Sequence, residues 1–333
     1  MESTILGAGE KLVALEFDIF TTLRGFVSEN SERLRAAAAM IAEIDVYRSL
    51  ADVAVANSYV CPEIDISDSI VIKDGRHPVV ERFVSGSYFV PNDTALDCTG
   101  NKVMIITGPN MAGKSTYMRQ VAIIVIMAQI GSFVPAREAR IGIVDKLFTR
   151  VGASDDLASG QSTFMLEMNE VSNILKNATK RSLIIYDEVG RGTSTFDGMA
   201  IARAVVEYTY SQKIGAKTLF ATHYHELTDM EELFPGIVNY NIAAKKRGDS
   251  LIFLRKILRG GTDDSYGIEV AKLAGVPREV VKRAREILSE IESGARQSAP
   301  VKPQKEREPD LFTAIAATKS DDVAEKLRKT DLN

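Results

Sequence analysis

Residues 104–120 read MIITGPNMAGKSTYMRQ: an apolar run, a loop of Gly and Pro, then Lys-Ser-Thr opening a helix-like stretch. A buried strand that ends this way, with a lysine where a helix begins, belongs to folds that aim a helix N-terminus past a strand end. Gly108 to Ser115 fits Gly-x-x-x-x-Gly-Lys-Ser. In that pattern the glycines let backbone N–H groups converge on an anion without Cβ interference, and the helix dipole adds to the attraction. Lys114 then offers a point charge to the β- and γ-phosphates of a nucleotide, and Ser115 a hydroxyl ligand to Mg²⁺. The predicted phosphate cradle is Gly108, Pro109, Asn110, Met111, Ala112, Gly113, Lys114, Ser115 and Thr116.

A second motif lies about 70 residues on: LIIYDE, Leu183 to Glu188, an apolar strand closed by two carboxylates. Asp187 is the predicted Mg²⁺ ligand, acting through water, and Glu188 the group that orients or deprotonates an attacking water. Acidic strand ends are common, so the motif gains its meaning from its place behind the phosphate loop. Adjacent Asp-Glu, in place of Asp alone, favours hydrolysis over phosphoryl transfer to a second substrate. ASGQSTF, Ala158 to Phe164, is a small, hydroxyl-rich loop leading into the helix-like MLEMNEVSNIL. GRGTSTFDG, Gly190 to Gly198, follows the carboxylates directly, so its loop is placed beside the γ-phosphate. ATHYHEL, Ala221 to Leu227, sets His223 just past a strand end, where an imidazole can sense that phosphate.

The remainder bounds the setting. At 333 residues the chain has room for one large domain or two smaller ones. Its 45% hydrophobic and 26% charged residues fit a soluble globular protein. A net charge of −4 supplies no overall basic field for nucleic acid, so any DNA contact needs a local patch. Cys61 and Cys98 make neither a disulfide framework nor a metal spacing with the three histidines, as expected of a reducing, cytoplasmic setting. The longest apolar run, VAIIVIMAQIGSFV from Val121 to Val134, is too short for a bilayer and reads as a core helix, with no membrane partner. The N-terminus lacks a signal-peptide pattern, and Asn92-Asp-Thr and Asn177-Ala-Thr read as chance glycosylation matches.

Residues 1–57 carry a helical period broken at Ser28–Ser31, which predicts two antiparallel helices, and their abrupt start suggests a piece of a longer protein. SIVIKDGRHPVV and SYFVPND read as short strands. KVMIIT, RSLIIYDE and KTLFAT are apolar strands between helices, the later helices beginning near Lys114 and Gly198, which predicts a mainly parallel sheet covered on both faces. NYNIAAKKRGDSLIFLRKI reads as a hairpin at the sheet edge, and SYGIEVAKLAGVPREVVKRAREILSEIES as helix, turn, helix. From 294 to 333 a charged, proline-containing linker leads into a tail.

TGPNMAGKSTYMRQ, TRVGASDDLASGQSTFMLEMNEVSNIL, DEVGRGTSTFDG and ATHYHELT together resemble the ATPase domain of the MutS family of DNA mismatch-repair proteins, a branch of the ABC-class ATPases. The resemblance runs from about residue 5 to 293 and is most specific over Ile105–Leu227. It implies a P-loop NTPase of the ABC class, α/β, over 58–260, preceded by the end of the family's lever region (1–57) and followed by a helix–turn–helix dimer contact (261–293). It implies hydrolysis of ATP, with Mg²⁺, in a homodimer. Ser162 would reach the γ-phosphate held by the other subunit, Phe89 would stack on adenine, Asn110 would respond to the γ-phosphate, and His223 would match the histidine switch. Mismatched DNA would be bound only by the full-length protein, since no Phe-x-Glu wedge occurs here; a MutL-type repair partner and the sliding clamp are the other implied partners.

Two positions depart from the pattern. Arg255 stands where some relatives stack a histidine on adenine, which a guanidinium can replace by a cation–π contact. Asp263-Asp264 stands where relatives often have Ser-Lys, reversing a charge near the dimer contact. PDLF, at 309–312, weakly matches a clamp-binding motif but also fits a short apolar contact in a tail. Two readings compete: a DNA-binding module using residues 265–291, with Arg278, Lys282, Arg283 and Arg285 toward phosphates, and a transporter or chromosome-organising ABC ATPase. The latter would more often show Leu-Ser-Gly-Gly-Gln in place of DDLASGQST.

Overall fold

A computed structural model describes residues 2–83, 88–109, 112–151, 163–247, 250–261 and 266–295. Asn110, Met111, Ser162, Asp263, Asp264 and the 296–333 tail lie outside the described residues. The chain divides into two compact units, Met1–Val270 and Ala271–Asn333.

The first unit opens with α1 (Glu2–Glu29) and α2 (Ser31–Ala56). The expected antiparallel pair is not formed. At the break, the Asn30 N–H donates to the Phe26 carbonyl at 3.3 Å and the Asn30 carbonyl accepts from the Leu34 N–H at 3.0 Å. A helical ladder carried through the break leaves no residue free to turn the chain back, so the helices follow end to end. The apolar residues that set their period, such as Phe17, Phe20, Ile41 and Ile44, are exposed.

Two sheets follow. The smaller has the order β1 (Glu63–Asp65), β5 (Glu138–Gly142), β2 (Ile70–Gly75), β3 (Asn92–Leu96), with β2 antiparallel to both neighbours. A one-turn helix, α3 (Val80–Phe83), lies between β2 and β3. The strand expected from SYFVPND starts only at Asn92, immediately after Pro91, which has no N–H to give a ladder.

The larger sheet contains β4 (Val103–Thr107), β6 (Leu147–Arg150), β7 (Leu183–Asp187), β8 (Lys217–Ala221), β9 (Ile237–Arg247) and β10 (Ser250–Arg259). Its order is β10-β9-β4-β8-β7-β6, parallel except for the edge hairpin of β9 and β10. The expected parallel sheet and edge hairpin are both present. The helices set among the strands of this sheet are α4 (Lys114–Gln129), α5 (Thr163–Asn177), α6 (Thr195–Tyr210) and the short α7 (Met230–Leu233), which follows a 3-10 turn at His225–Asp229. Helix α6 starts earlier than the expected Gly198, because Ser194 caps it: the Ser194 Oγ accepts from the Asp197 N–H at 3.4 Å and donates to the Asp197 carboxylate at 2.9 Å.

Alternation along the central strands divides the core. Met104 and Ile106, Leu183 and Ile185, and Leu219 face one side with Met118, Val121 and Val125 of α4. That helix is also covered by Ile70, Ile72 and Ile141 of the smaller sheet, so the long apolar run is a core helix from Val121 to Gln129, while its last residues, from Ile130 to Val134, lie past the helix end. Val103, Ile105, Ile184 and Phe220 face the other side, with Val171 and Ile174 of α5 and Val205 and Val206 of α6. Every residue of β4, β7 and β8 is buried. Along the chain after β10 come α8 (Gly267–Leu273) and α9 (Arg278–Ala295), joined through Gly275, whose φ is +86°. Among the described residues, no helix is long and apolar enough to cross a membrane.

Since successive residues of β4 enter two separate cores, Ile105→Ala and Ile106→Ala are each expected to lower stability by about 2–5 kcal/mol in chemical denaturation. A loss well under about 1 kcal/mol at either position would mean that its face is not a packed core.

Candidate active site

The site is set by the carboxyl ends of three adjacent parallel strands, β4, β8 and β7. Their ladder continues past the strands themselves: the Thr222 N–H donates to the Ile106 carbonyl at 3.1 Å, and the Glu188 N–H to the Ala221 carbonyl at 3.0 Å. The two sequence motifs, on β4 and β7, are thereby held one strand apart, with His223 following the strand between them. The carboxyl edge of an open α/β sheet is where ligands of such folds sit.

After β4 the chain turns sharply at Gly108, φ +119°, and a Cβ there would fall 2.8 Å from the Ile242 side chain. Gly113, at φ +107°, is the N-cap of α4, so Lys114 and Ser115 open the helix. The Lys114 ammonium, 1% exposed, donates to the Gly108 carbonyl and lies 3.9 Å from Glu188 Oε1. Burial lowers the lysine pKa, opposed by Glu188 and Asp187. Ser115 hydrogen-bonds the buried Asp187 carboxylate, whose pKa is nevertheless raised, first by burial and then by the neighbouring Glu188 charge. Lys114, Ser115, Asp187 and Glu188 thus form one cluster.

Glu188 takes φ +56°, a left-handed conformation that a side chain rarely adopts. Its second oxygen accepts from Arg191 at 2.8 Å. His223 reaches solvent, and its ring centroid lies 4.3 Å from that of Tyr224. Lost hydration lowers the His223 pKa, with Glu188 opposing and Arg191, Lys114 and His225 reinforcing. Ala112 is buried, while Pro109 and Thr116 are half-buried beside the cluster.

Phe89 is half-buried at the approach to β3. Two residues further on, Pro91 accepts from Lys256 Nζ at 2.7 Å. Asn92, 4% exposed, grips a bulge in β10: its Nδ2 donates to the Arg255 carbonyl at 2.9 Å and its Oδ1 accepts from the Ile257 N–H at 2.8 Å. Arg255 itself has φ +55°. The backbones carrying Phe89 and Arg255 are therefore tied together. Tyr117, one turn into α4, joins this region by hydrogen-bonding Thr94 at 3.0 Å and the Asp93 carbonyl at 3.2 Å.

Sequence reasoning missed Asn92, read only as a glycosylation match, and it missed Arg150 and Glu167. The Arg150 guanidinium, at the end of β6, donates to Glu167 Oε2 at 2.9 Å, both residues being at most 4% exposed. Glu167 Oε1 accepts from the Gly190 N–H at 2.5 Å. One signal was available: Glu167 shares the buried face of α5 with Val171 and Ile174, at helical spacing, where a charge requires a partner.

The raised Asp187 pKa has a testable sign. A carboxyl that binds its proton more tightly folded than unfolded opposes folding above its pKa and ceases to do so below the unfolded value. Asp187→Asn, measured without nucleotide at pH 7, is expected to raise the unfolding midpoint by about 2–5 °C. The gain should shrink as pH falls toward 4; a midpoint equal to or below that of the parent would contradict the assignment.

The architecture has counterparts. Residues 104–292 match the family model MutS domain V. The chain is 56% identical to the DNA mismatch repair protein MutS of Ruminiclostridium cellulolyticum and 57% identical to that of Acetivibrio thermocellus, each alignment covering all of this chain and 39% of the relative. It is 60% identical to the protein of the same name from Caldicellulosiruptor saccharolyticus, over 88% of this chain and 34% of that protein. The chain thus spans well under half the length of these curated relatives. With more than half its length inside that model, the chain belongs to the MutS domain V family.

Proposed function

We propose that the chain binds ATP with Mg²⁺ at the carboxyl edge of the larger sheet and hydrolyses it to ADP and phosphate, as the ABC-class ATPase domain of a DNA mismatch-repair protein. The observation that carries this reading is the convergence of Lys114, Ser115, Asp187 and Glu188 from two strand ends held in register by β8. The relatives, each a DNA mismatch repair protein MutS, supply the biological setting.

Lys114 meets the β- and γ-phosphates, which compensate the desolvation of its ammonium. The Ser115 hydroxyl and the Asp187 carboxylate fit Mg²⁺: both are hard oxygen donors, already in contact, and the buried carboxylate gains from a nearby cation. When bound, that ion neutralises charge on the phosphate oxygens. Glu188 orients the attacking water and accepts its proton, its carboxylate directed by the left-handed turn and by Arg191. His223, just past the end of β8, meets the γ-phosphate as a hydrogen-bonding group. Phe89 and Arg255 take the two faces of adenine. Asn110 and Ser162 keep their proposed roles at the γ-phosphate, Ser162 from a second copy of the chain, with residues 261–293 as the dimer contact. Mismatch recognition and the repair partners belong to the longer protein.

The DNA-module alternative fares less well on α9. Arg283 is paired with Glu286 at 3.1 Å and with Glu290 at 3.2 Å, so its charge is directed along the helix itself.

Lys114→Ala is expected to weaken nucleotide binding, whereas Glu188→Gln should bind ATP normally and turn it over about a hundredfold more slowly, or worse. With ATP and Mg²⁺, Glu188→Gln should also sediment as a dimer. Unchanged turnover would remove Glu188 from the reaction; unchanged sedimentation would remove the shared site.

A further inference from the structure

We infer that Glu167 is a positioning residue for the water-activating Glu188, and that it couples α5 to the reaction through the backbone of Gly190. This inference rests on the ATPase reading above. Glu188 occupies a strained left-handed conformation at the end of β7, and such a conformation persists only where its surroundings determine it. The local surroundings converge on Gly190, two residues on. Its N–H is bound by Glu167 Oε1 at 2.5 Å and its carbonyl accepts from the Tyr224 hydroxyl at 3.0 Å. Its own φ is +91°, and a Cβ on it would collide with the Gly198 backbone at the start of α6.

The anchor is charged and buried. Glu167 is 4% exposed, and its other oxygen takes the Arg150 guanidinium at 2.9 Å, while Arg150 Nε lies 3.2 Å from Glu170 of the same helix. Such a pair earns its place through geometry more than through net stability, because desolvation offsets much of its attraction. A second contact runs parallel to the first: a Cβ on Gly192 would lie 3.1 Å from Phe164 Cβ, in the first turn of α5. The loop carrying Glu188 is therefore docked on α5 at two points, by Glu167 and by Phe164. Displacement of α5 would act on Glu188 through this loop, whereas Lys114 and Ser115 stand on α4 and Asp187 within β7. Glu167 is thus expected to govern turnover and to leave nucleotide affinity alone.

Two double variants separate the clamp from the ion pair. R150M/E167L replaces the buried pair with apolar groups of similar size, a change that buried pairs often tolerate, and removes the Gly190 acceptor. R150M/E167Q removes the pair but keeps an acceptor oxygen. The full chain is assayed for ATP turnover and for the Kd of a non-hydrolysable ATP analogue. In parallel, the Gly190 amide proton is followed by NMR, where a charge-assisted hydrogen bond gives a downfield, slowly exchanging signal. R150M/E167L is expected to lose about tenfold or more in turnover with Kd held within about twofold, and to move the Gly190 proton upfield. R150M/E167Q should stay within about threefold of the parent in turnover.

Three results would overturn the proposal: normal turnover in R150M/E167L, equal loss in both variants, or a Gly190 proton unmoved in R150M/E167L. If R150M/E167L does not fold, the single E167Q carries the test, with an upfield Gly190 shift at unchanged Kd expected and an unmoved signal contradicting. A parent chain without ATP turnover would refute the ATPase reading, and the Gly190 signal would still decide the clamp.

Discussion

Backbone hydrogen bonds that outlast the strands of the larger sheet hold the candidate site together. Thr222 bonds Ile106, and Glu188 bonds Ala221, so β4, β8 and β7 remain in register one residue beyond their ends. That tether places an ammonium and two carboxylates from distant parts of the chain within a few ångströms. The two cores on either side then fix the strands, and α4 is fixed in turn by lying between the two sheets.

Charges placed there oppose folding. Lys114 is almost fully buried, and Asp187 carries a pKa raised by its surroundings. Glu188 adds backbone strain at φ +56°. The two electrostatic terms would be relieved by a triphosphate and a divalent cation, and backbone strain of the kind at Glu188 concentrates at working sites. The Arg150–Glu167 pair belongs to the same economy: buried and specific, directed at a backbone N–H two residues from Glu188.

Much of this could be read in the amino-acid order, for definite reasons. β4, β7 and β8 are buried on both faces, so they appear as unbroken apolar runs. The sharp turn after β4 was legible because sterics demand its glycine, as at Gly108 against Ile242. By contrast β5 and β6, EARIG and LFTR, have no apolar run, and only pairing with remote partners makes them strands. Two linked helices at the N-terminus were legible, but not their end-to-end arrangement, which depends on the backbone at a single residue, Asn30. Asn92 and Arg150 escaped notice for a similar reason: their partners lie 165 and 17 residues away, and only folding brings them together.

If the site is built around phosphate, binding energy should follow the phosphates and not the base. Calorimetric titration of the chain with ATP, ADP and adenosine, each with Mg²⁺, measures this directly. The account expects one ATP per chain, and adenosine weaker by about two orders of magnitude or more, since charge-assisted contacts to Lys114 and the helix N-terminus are lost. Adenosine binding as tightly as ATP, or no binding of ATP, would contradict it.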